Sequence, residues 1–322
     1  QIWARYERLV LAHGDHRRLV ETAAKVAPDA RKPERQVALY WLVGCQQRDR
    51  FHNRPAAVRA LNKLLSADPA HVEALEALAI LYAAEEQWNE ANAVDTRLVQ
   101  VTEDRERLLR ARLRLASIWN DRLSDPKQAG ANLRAVLDLD PKNAPALRML
   151  AEIHRRNREF SPAAQMLQTL AEIEPDLDAR VQALLELADV RLEGFNDERG
   201  AAEVLRRAME IEPRGERAQG KLAALFARSG DWAGLVETLE DQLRRLGPSD
   251  SPKAATLHLE TGRILSEKLD RADAAIENLH AAIRLDPERD DARGLLAELL
   301  RKHERFDEAV EEYRALYHRD PF

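Results

Sequence analysis

The residues of this chain that could do chemistry are its nine histidines, its single cysteine and its close carboxylate pairs. His13 and His16 are three apart, a spacing at which two imidazoles on one helix face can share a metal ion. Gly14 breaks the helix between them and no carboxylate completes the set, so they read as loop histidines. His154 stands where a helix-packing position calls for an aromatic, and reads as a packed side chain. Glu85–Glu86 and Glu311–Glu312 are adjacent in sequence, which splays them over exposed helical surface. A catalytic pair needs a cleft that shifts its pKa values. Cys45 is one thiol, too few for an internal disulfide or a metal site, and it suits a core or groove position. A Gly-rich phosphate loop, H-E-x-x-H, C-x-x-C and G-x-S-x-G are all absent. The expectation is a non-catalytic chain with no cofactor and no metal.

What must these residues sit on? Of 322 residues, 33% are charged, 45% apolar and only 5% aromatic. Alanine, leucine, arginine and glutamate dominate, all good helix formers. Clusters of β-branched and aromatic residues that would mark strands are missing. The balance suits helices with one buried stripe and one solvated face. A net charge of −6 argues against nucleic acid as a partner, because that affinity comes mostly from phosphate neutralisation. The basic residues are 41 arginines and nine lysines. No apolar run approaches the roughly 20 residues of a membrane span. The chain starts at Gln1 and shows no signal peptide. It reads as part of a longer protein, with the compartment open between the cytoplasm, slightly favoured, and a bacterial envelope.

Proline marks the organisation. Pro69, Pro141, Pro213 and Pro287 are 72, 72 and 74 residues apart, and Pro175 and Pro321 follow Pro141 and Pro287 by 34. Each ends an acidic junction such as SADP, LDLDP or RLDP. Proline cannot continue a helix and moves the preceding residue away from helical geometry. The 72-residue unit splits into repeats of about 34 and 38 residues, a period that means stacked helical hairpins. In the shorter kind, Leu78-Ala79, Leu150-Ala151 and Leu296-Ala297 are each followed by an aromatic (Trp88, Phe160, Phe306) and then by Ala91, Ala163 or Ala309. Small residues let two helices cross closely, the aromatic fills the turn, and leucines complete the stripe. In the longer kind the small residues are Gly44, Ala116, Ala188 and Gly262, and the second-helix alanines are Ala57, Ala129, Ala201 and Ala275. Its extra residues are expected in the turn between the helices: FHNRPAA, LSDPKQA, FNDERGA, LDRADAA. Asn53, Asp125 and Asp197 read as N-caps, with Pro126 at the first helical position. GDHRRLVET at 14–22 and GDWAGLVET at 230–238 show the same internal kinship.

This register of leucine, small residue, aromatic, alanine and proline resembles the tetratricopeptide repeat, and the resemblance runs along nearly the whole chain. It implies an all-α fold, a right-handed superhelical solenoid of antiparallel helix pairs. The expectation is one domain over 1–322 with about nine hairpins, the first truncated. The last hairpin carries Tyr313, Leu316 and Tyr317 with no polar capping helix after it, so the protein is expected to continue or to dock there.

The resemblance also implies that the first helix of each hairpin lines a concave groove that binds a protein or peptide. The residues it places there include Trp41, Glu73 and Glu76, then Arg148, Glu152, Arg155, Arg156, Arg217, Arg228, Arg263, Arg301 and Lys302, with Leu185 and Leu259 among their neighbours. From Arg148 onward the set is mostly basic, which would suit a partner segment with acidic residues. The lysine-and-asparagine clamp by which some members hold chaperone C-termini is missing, which disfavours a co-chaperone role. The reading is a scaffold or adaptor. The rivals are a docking or sensory arm of a larger enzyme or regulator, and a structural subunit of a bacterial multiprotein machine. The oligomeric state is not readable.

Overall fold

A computed structural model describes residues 2–213, 215–247 and 250–319. Pro321, the last junction proline, lies outside them. Among the described residues all extended regular structure is helical. The helices are α1 (Ile2–Ala12), α2 (His16–Val26), α3 (Pro33–Asp49), α4 (Arg54–Ala67), α5 (Val72–Ala84), α6 (Trp88–Val101), α7 (Arg105–Asp121), α8 (Pro126–Leu139) and α9 (Ala144–Arg156). They continue with α10 (Phe160–Ile173), α11 (Leu177–Phe195), α12 (Glu198–Ile211), α13 (Glu216–Ser229), α14 (Trp232–Arg245), α15 (Ser251–Glu267), α16 (Ala272–Leu285), α17 (Asp290–Lys302) and α18 (Phe306–Arg319).

The chain forms two compact units, 1–153 and 154–322, and α9 carries residues of both. In unit 1, α1 pairs with α2, α3 with α4, α5 with α6 and α7 with α8; α2 packs on α3, α4 on α5 and α6 on α7. In unit 2, α10 packs on α11, then α11 pairs with α12, α13 with α14, α15 with α16 and α17 with α18; successive pairs meet through α12 and α13, α14 and α15, and α16 and α17. Each unit is thus a solenoid segment in which a hairpin touches its neighbours in sequence.

The acidic-proline junctions work as the sequence suggests. Asp68, Asp140 and Asp286 end their helices in extended geometry, with φ near −134°, −137° and −138°, as a following proline demands. The aspartate then closes the turn. Asp68 Oδ1 accepts from Ala70 N at 3.2 Å and Asp140 Oδ1 from Lys142 N at 3.3 Å, a local bond that aspartate makes well. Asn53, Asp125 and Asp197 are N-caps: they accept from the backbone N–H of Ala56, of Lys127 and Gln128, and of Gly200. The paired GD motifs share one local design. Gly14 and Gly230 take φ of +71° and +75°, and Asp15 and Asp231 cap the helices that follow. Glycine meets the left-handed turn without a Cβ penalty.

The helix crossings sit where the small residues are. Ala57, Ala129, Ala201 and Ala275 are fully buried, as are Ala79, Ala91, Ala116 and Ala163. A Cβ at Gly44 would lie 2.8 Å from Leu61 Cδ2, and one at Gly262 would lie 2.9 Å from Leu279 Cγ and 3.2 Å from the Ala275 carbonyl. These helices approach too closely for more side chain.

One expectation is corrected. The extra residues of the longer repeat lie mainly in the first helix, not in the turn after it. First helices of the longer kind have 17 residues in α3, α7 and α15 and 19 in α11. Those of the shorter kind have 13 in α5, α9 and α17 and 14 in α13. The small crossing residue is twelfth in α3, α7, α11 and α15 but eighth in α5, α9, α13 and α17. The longer repeat therefore has one additional helical turn at the N-terminal end of its first helix.

Candidate functional site

The extra turn of the longer first helices is where charged side chains reach the next first helix. In unit 1, Arg107 in the extra turn of α7 meets Glu73 on α5, Nη1 to Oε1 2.9 Å. Arg110 follows one turn later and meets Glu76 at 3.2 Å. The Arg107 hydrogen bond, with a backbone N–H of its own, holds the Glu73 carboxyl below its usual range. Trp41 is half-buried on α3, its ring 5.4 Å from that of His71. Ile80 on α5 is 53% exposed. Arg148 and Glu152 are half-buried and exposed on the unit 1 part of α9.

A second link in unit 1 is buried. Asp95 on α6 has no solvent exposure and receives two hydrogen bonds from Arg114 on α7, Nε to Oδ2 at 3.1 Å. Burial pushes the Asp95 carboxyl up, against the lowering pull of Arg114.

In unit 2 the links lie on the surface. Arg155, at the end of α9, donates through Nε to Glu193 on α11 at 3.0 Å. That bond holds Glu193 below the ordinary carboxylate value. Arg217 on α13 pairs with Asp178 in the extra turn of α11 and reaches Gln182 at 3.3 Å. Lys221 pairs with Asp189, and Lys253 in the extra turn of α15 pairs with Glu216. Arg228 lies 3.9 Å from Glu198. On α17, Arg301 and the Tyr313 hydroxyl both donate to Glu298 and lower its pKa to about 2. His154 is packed, 7% exposed, with Nδ1 against Glu159. Arg156 is exposed at the end of α9. Arg263 on α15 and Lys302 on α17 are exposed and have no ion-pair partner among the described residues.

The structure therefore gives an acidic neighbour to Arg155, Arg217, Arg228 and Arg301. Sequence reasoning missed Glu193, Asp178, Glu198 and Glu298. The signal was available as opposite charges about one repeat apart: 155 with 193, 178 with 217, 198 with 228. Leu185 and Leu259 are 3% and 5% exposed and belong to the core, not to an open groove. Of the close carboxylate pairs, Glu85 lines a surface pocket with Arg48, His52 and Arg54, without Glu86, and Glu312 pairs with Arg293; among the described residues no three His, Cys, Asp or Glu side chains form a group able to hold a metal ion. Among the same residues no helix is long and apolar enough to cross a membrane.

No curated protein matches the sequence. Solved structures similar to parts of the chain include the MamA protein, at 22% identity and a TM-score of 0.47 over 55% of this chain and 92% of that one. YrrB, described as a TPR protein with an unusual peptide-binding site, gives 16% and 0.46 over 57% of this chain and 90% of that one. The C-terminal part of a TPR repeat-containing protein from Cytophaga hutchinsonii gives 15% and 0.49 over 76% and 95%. Residues 123–188 and residues 267–322 each match a family model described as Tetratricopeptide repeat. With the crossing alanines, the junction prolines and the hairpins that these residues form, the matches make the chain a tetratricopeptide repeat protein.

Proposed function

We propose that the chain is a non-catalytic adaptor whose unit 2 binds an acidic segment of a partner protein along the first helices α15 and α17. The tetratricopeptide repeat fold supports a protein–protein interaction scaffold in general, and proteins of this family are generally non-catalytic. The finer reading rests on one observation. Arg263 and Lys302 are exposed cations on two first helices that touch each other, and neither forms an ion pair among the described residues. Arg155, Arg217, Arg228 and Arg301 are each paired with a carboxylate within the molecule, so they discriminate little between partners. A carboxylate brought to Arg263 gains a charge-assisted contact without displacing one.

Selection of peptides from a displayed library tests this. Peptides chosen by the chain are expected to be enriched in Asp and Glu. They should lose about tenfold or more in affinity for the Arg263→Glu/Lys302→Glu variant. Reversing the paired Arg217 to Glu should matter less. Peptides without acidic residues, or peptides indifferent to the double reversal, would contradict the proposal.

A further inference from the structure

Two cavities follow α12, one beside α14 and one beside the turn between α13 and α14. The first, of about 220 Å³, has the buried Met209 and Leu222 at its base and Glu210 of α12 and Glu237 and Asp241 of α14 on its walls. The second, of about 560 Å³, lies over the buried Ala202, Leu225 and Phe226. Arg206 lines both, with its guanidinium 5.6 Å from the Phe226 ring, so the two form one cleft along α12. Most charges of the smaller cavity are already engaged. Asp241 pairs with both Arg244 and Arg245, and Arg206 stacks on Phe226. Glu210 and Glu237 remain, on opposite walls. Both are exposed, and neither has an ion pair or side-chain hydrogen bond among the described residues.

The repeat does not impose this pair of charges. Glu210 is thirteenth in α12 and Glu237 sixth in α14, and the second helices from α4 to α18 all have 14 residues. At the same two positions α4 and α6 have Ser66 and Ala93, α8 and α10 have Asp138 and Gln165, and α16 and α18 have Arg284 and Glu311. Only α12 and α14 carry a carboxylate at both. Two like charges flanking an apolar base repel each other, and a cation between them relieves the repulsion. A metal ion does not suit the place, because no third ligand joins the two carboxylates. A lysine or arginine side chain suits it: the apolar stem covers Met209 and Leu222 while the charged head reaches the carboxylates. We infer that the cleft along α12 is a docking site for a basic segment of a partner protein. One Lys or Arg side chain sits between Glu210 and Glu237, and the adjoining residues lie along the larger cavity. The site is separate from the acidic-peptide site on α15 and α17 and does not rest on it.

Fluorescence anisotropy with a short labelled peptide that alternates lysine with alanine and leucine tests it, beside the same peptide with glutamate in place of lysine. The 322-residue chain should bind the lysine peptide and not the glutamate one. Glu210→Gln/Glu237→Gln should weaken that binding about tenfold. Glu240→Gln/Glu277→Gln removes the same charge from exposed positions outside the cleft and should change it by about twofold at most. Unchanged circular dichroism shows that each variant is folded. No binding of the lysine peptide, or equal binding of the two peptides, overturns the inference. So does equal weakening by the two double variants, which would show attraction to net charge alone.

Discussion

Seven residues after the aromatic that begins a second helix stands Asp95 in α6, but Leu167 in α10 and Leu239 in α14. All three are buried, Asp95 completely and both leucines to 2% exposure. In unit 1 the position holds a carboxylate that only Arg114 of the next hairpin satisfies. In unit 2 it holds a leucine in α10 and α14 and the exposed Tyr313 in α18, and the charged links between hairpins, Arg155–Glu193, Lys221–Asp189 and Lys253–Glu216, lie on the surface, as Arg107–Glu73 does in unit 1. A buried ion pair adds little net stability but is costly to break from one side. Surface pairs are worth little whichever partner is lost. The same fold thus joins α6 to α7 through a contact satisfied in one register, and joins the unit 2 hairpins through contacts that a binding partner can replace at small cost.

The largest effect should come from breaking the buried link. Arg114→Ala leaves Asp95 without its partner and should cost about 3–5 kcal/mol in unit 1, read from denaturant unfolding. Because burial already raises the Asp95 pKa, protonation relieves the unpaired charge, and the loss should shrink as the pH falls. Planting the same problem in unit 2 with Leu167→Asp should be of similar size. If Arg114→Ala is neutral, the contrast between the units fails.

The helix crossings sharpen the contrast because both units share them. Ala151→Leu in unit 1 and Ala201→Leu in unit 2 should each overpack a buried crossing and cost about 1–3 kcal/mol. Calorimetry showing an effect in one unit only would mean that the hairpins are not built alike.

The smallest effect should come from the surface links. Arg155→Ala should change stability by at most about 1 kcal/mol. Its pH dependence has a definite sign. Glu193 is held below its ordinary value by Arg155, so the contribution is full at neutral pH and is lost as acid carries the pH down through that lowered value. Melting of wild type and variant should therefore converge in acid. A difference that grows in acid would contradict the assignment.

Much of this was legible before the structure. Proline and its acidic neighbour fix the junctions, alanine and glycine fix the crossings, and Asn53, Asp125 and Asp197 fix three helix starts, because each acts through local geometry. The extra turn of α3, α7, α11 and α15 was assigned to the wrong side. Small residues mark where helices cross but not where they begin, and first turns such as RERL and LDAR carry no distinctive signal. Leu185 and Leu259 were placed in the groove by repeat arithmetic alone, although their side chains favour burial. The pairing of Arg155 with Glu193 escaped because a scan within one repeat cannot see a partner in the next. Glu210 and Glu237, which line one cavity from two hairpins, escaped for the same reason.

Hydrogen–deuterium exchange of the chain with and without a selected acidic peptide tests the central claim most directly. The account predicts that protection appears on α15 and α17, around Arg263 and Lys302, and leaves the second helices α12, α14 and α16 unchanged. Protection confined to those second helices, or to unit 1, would contradict it.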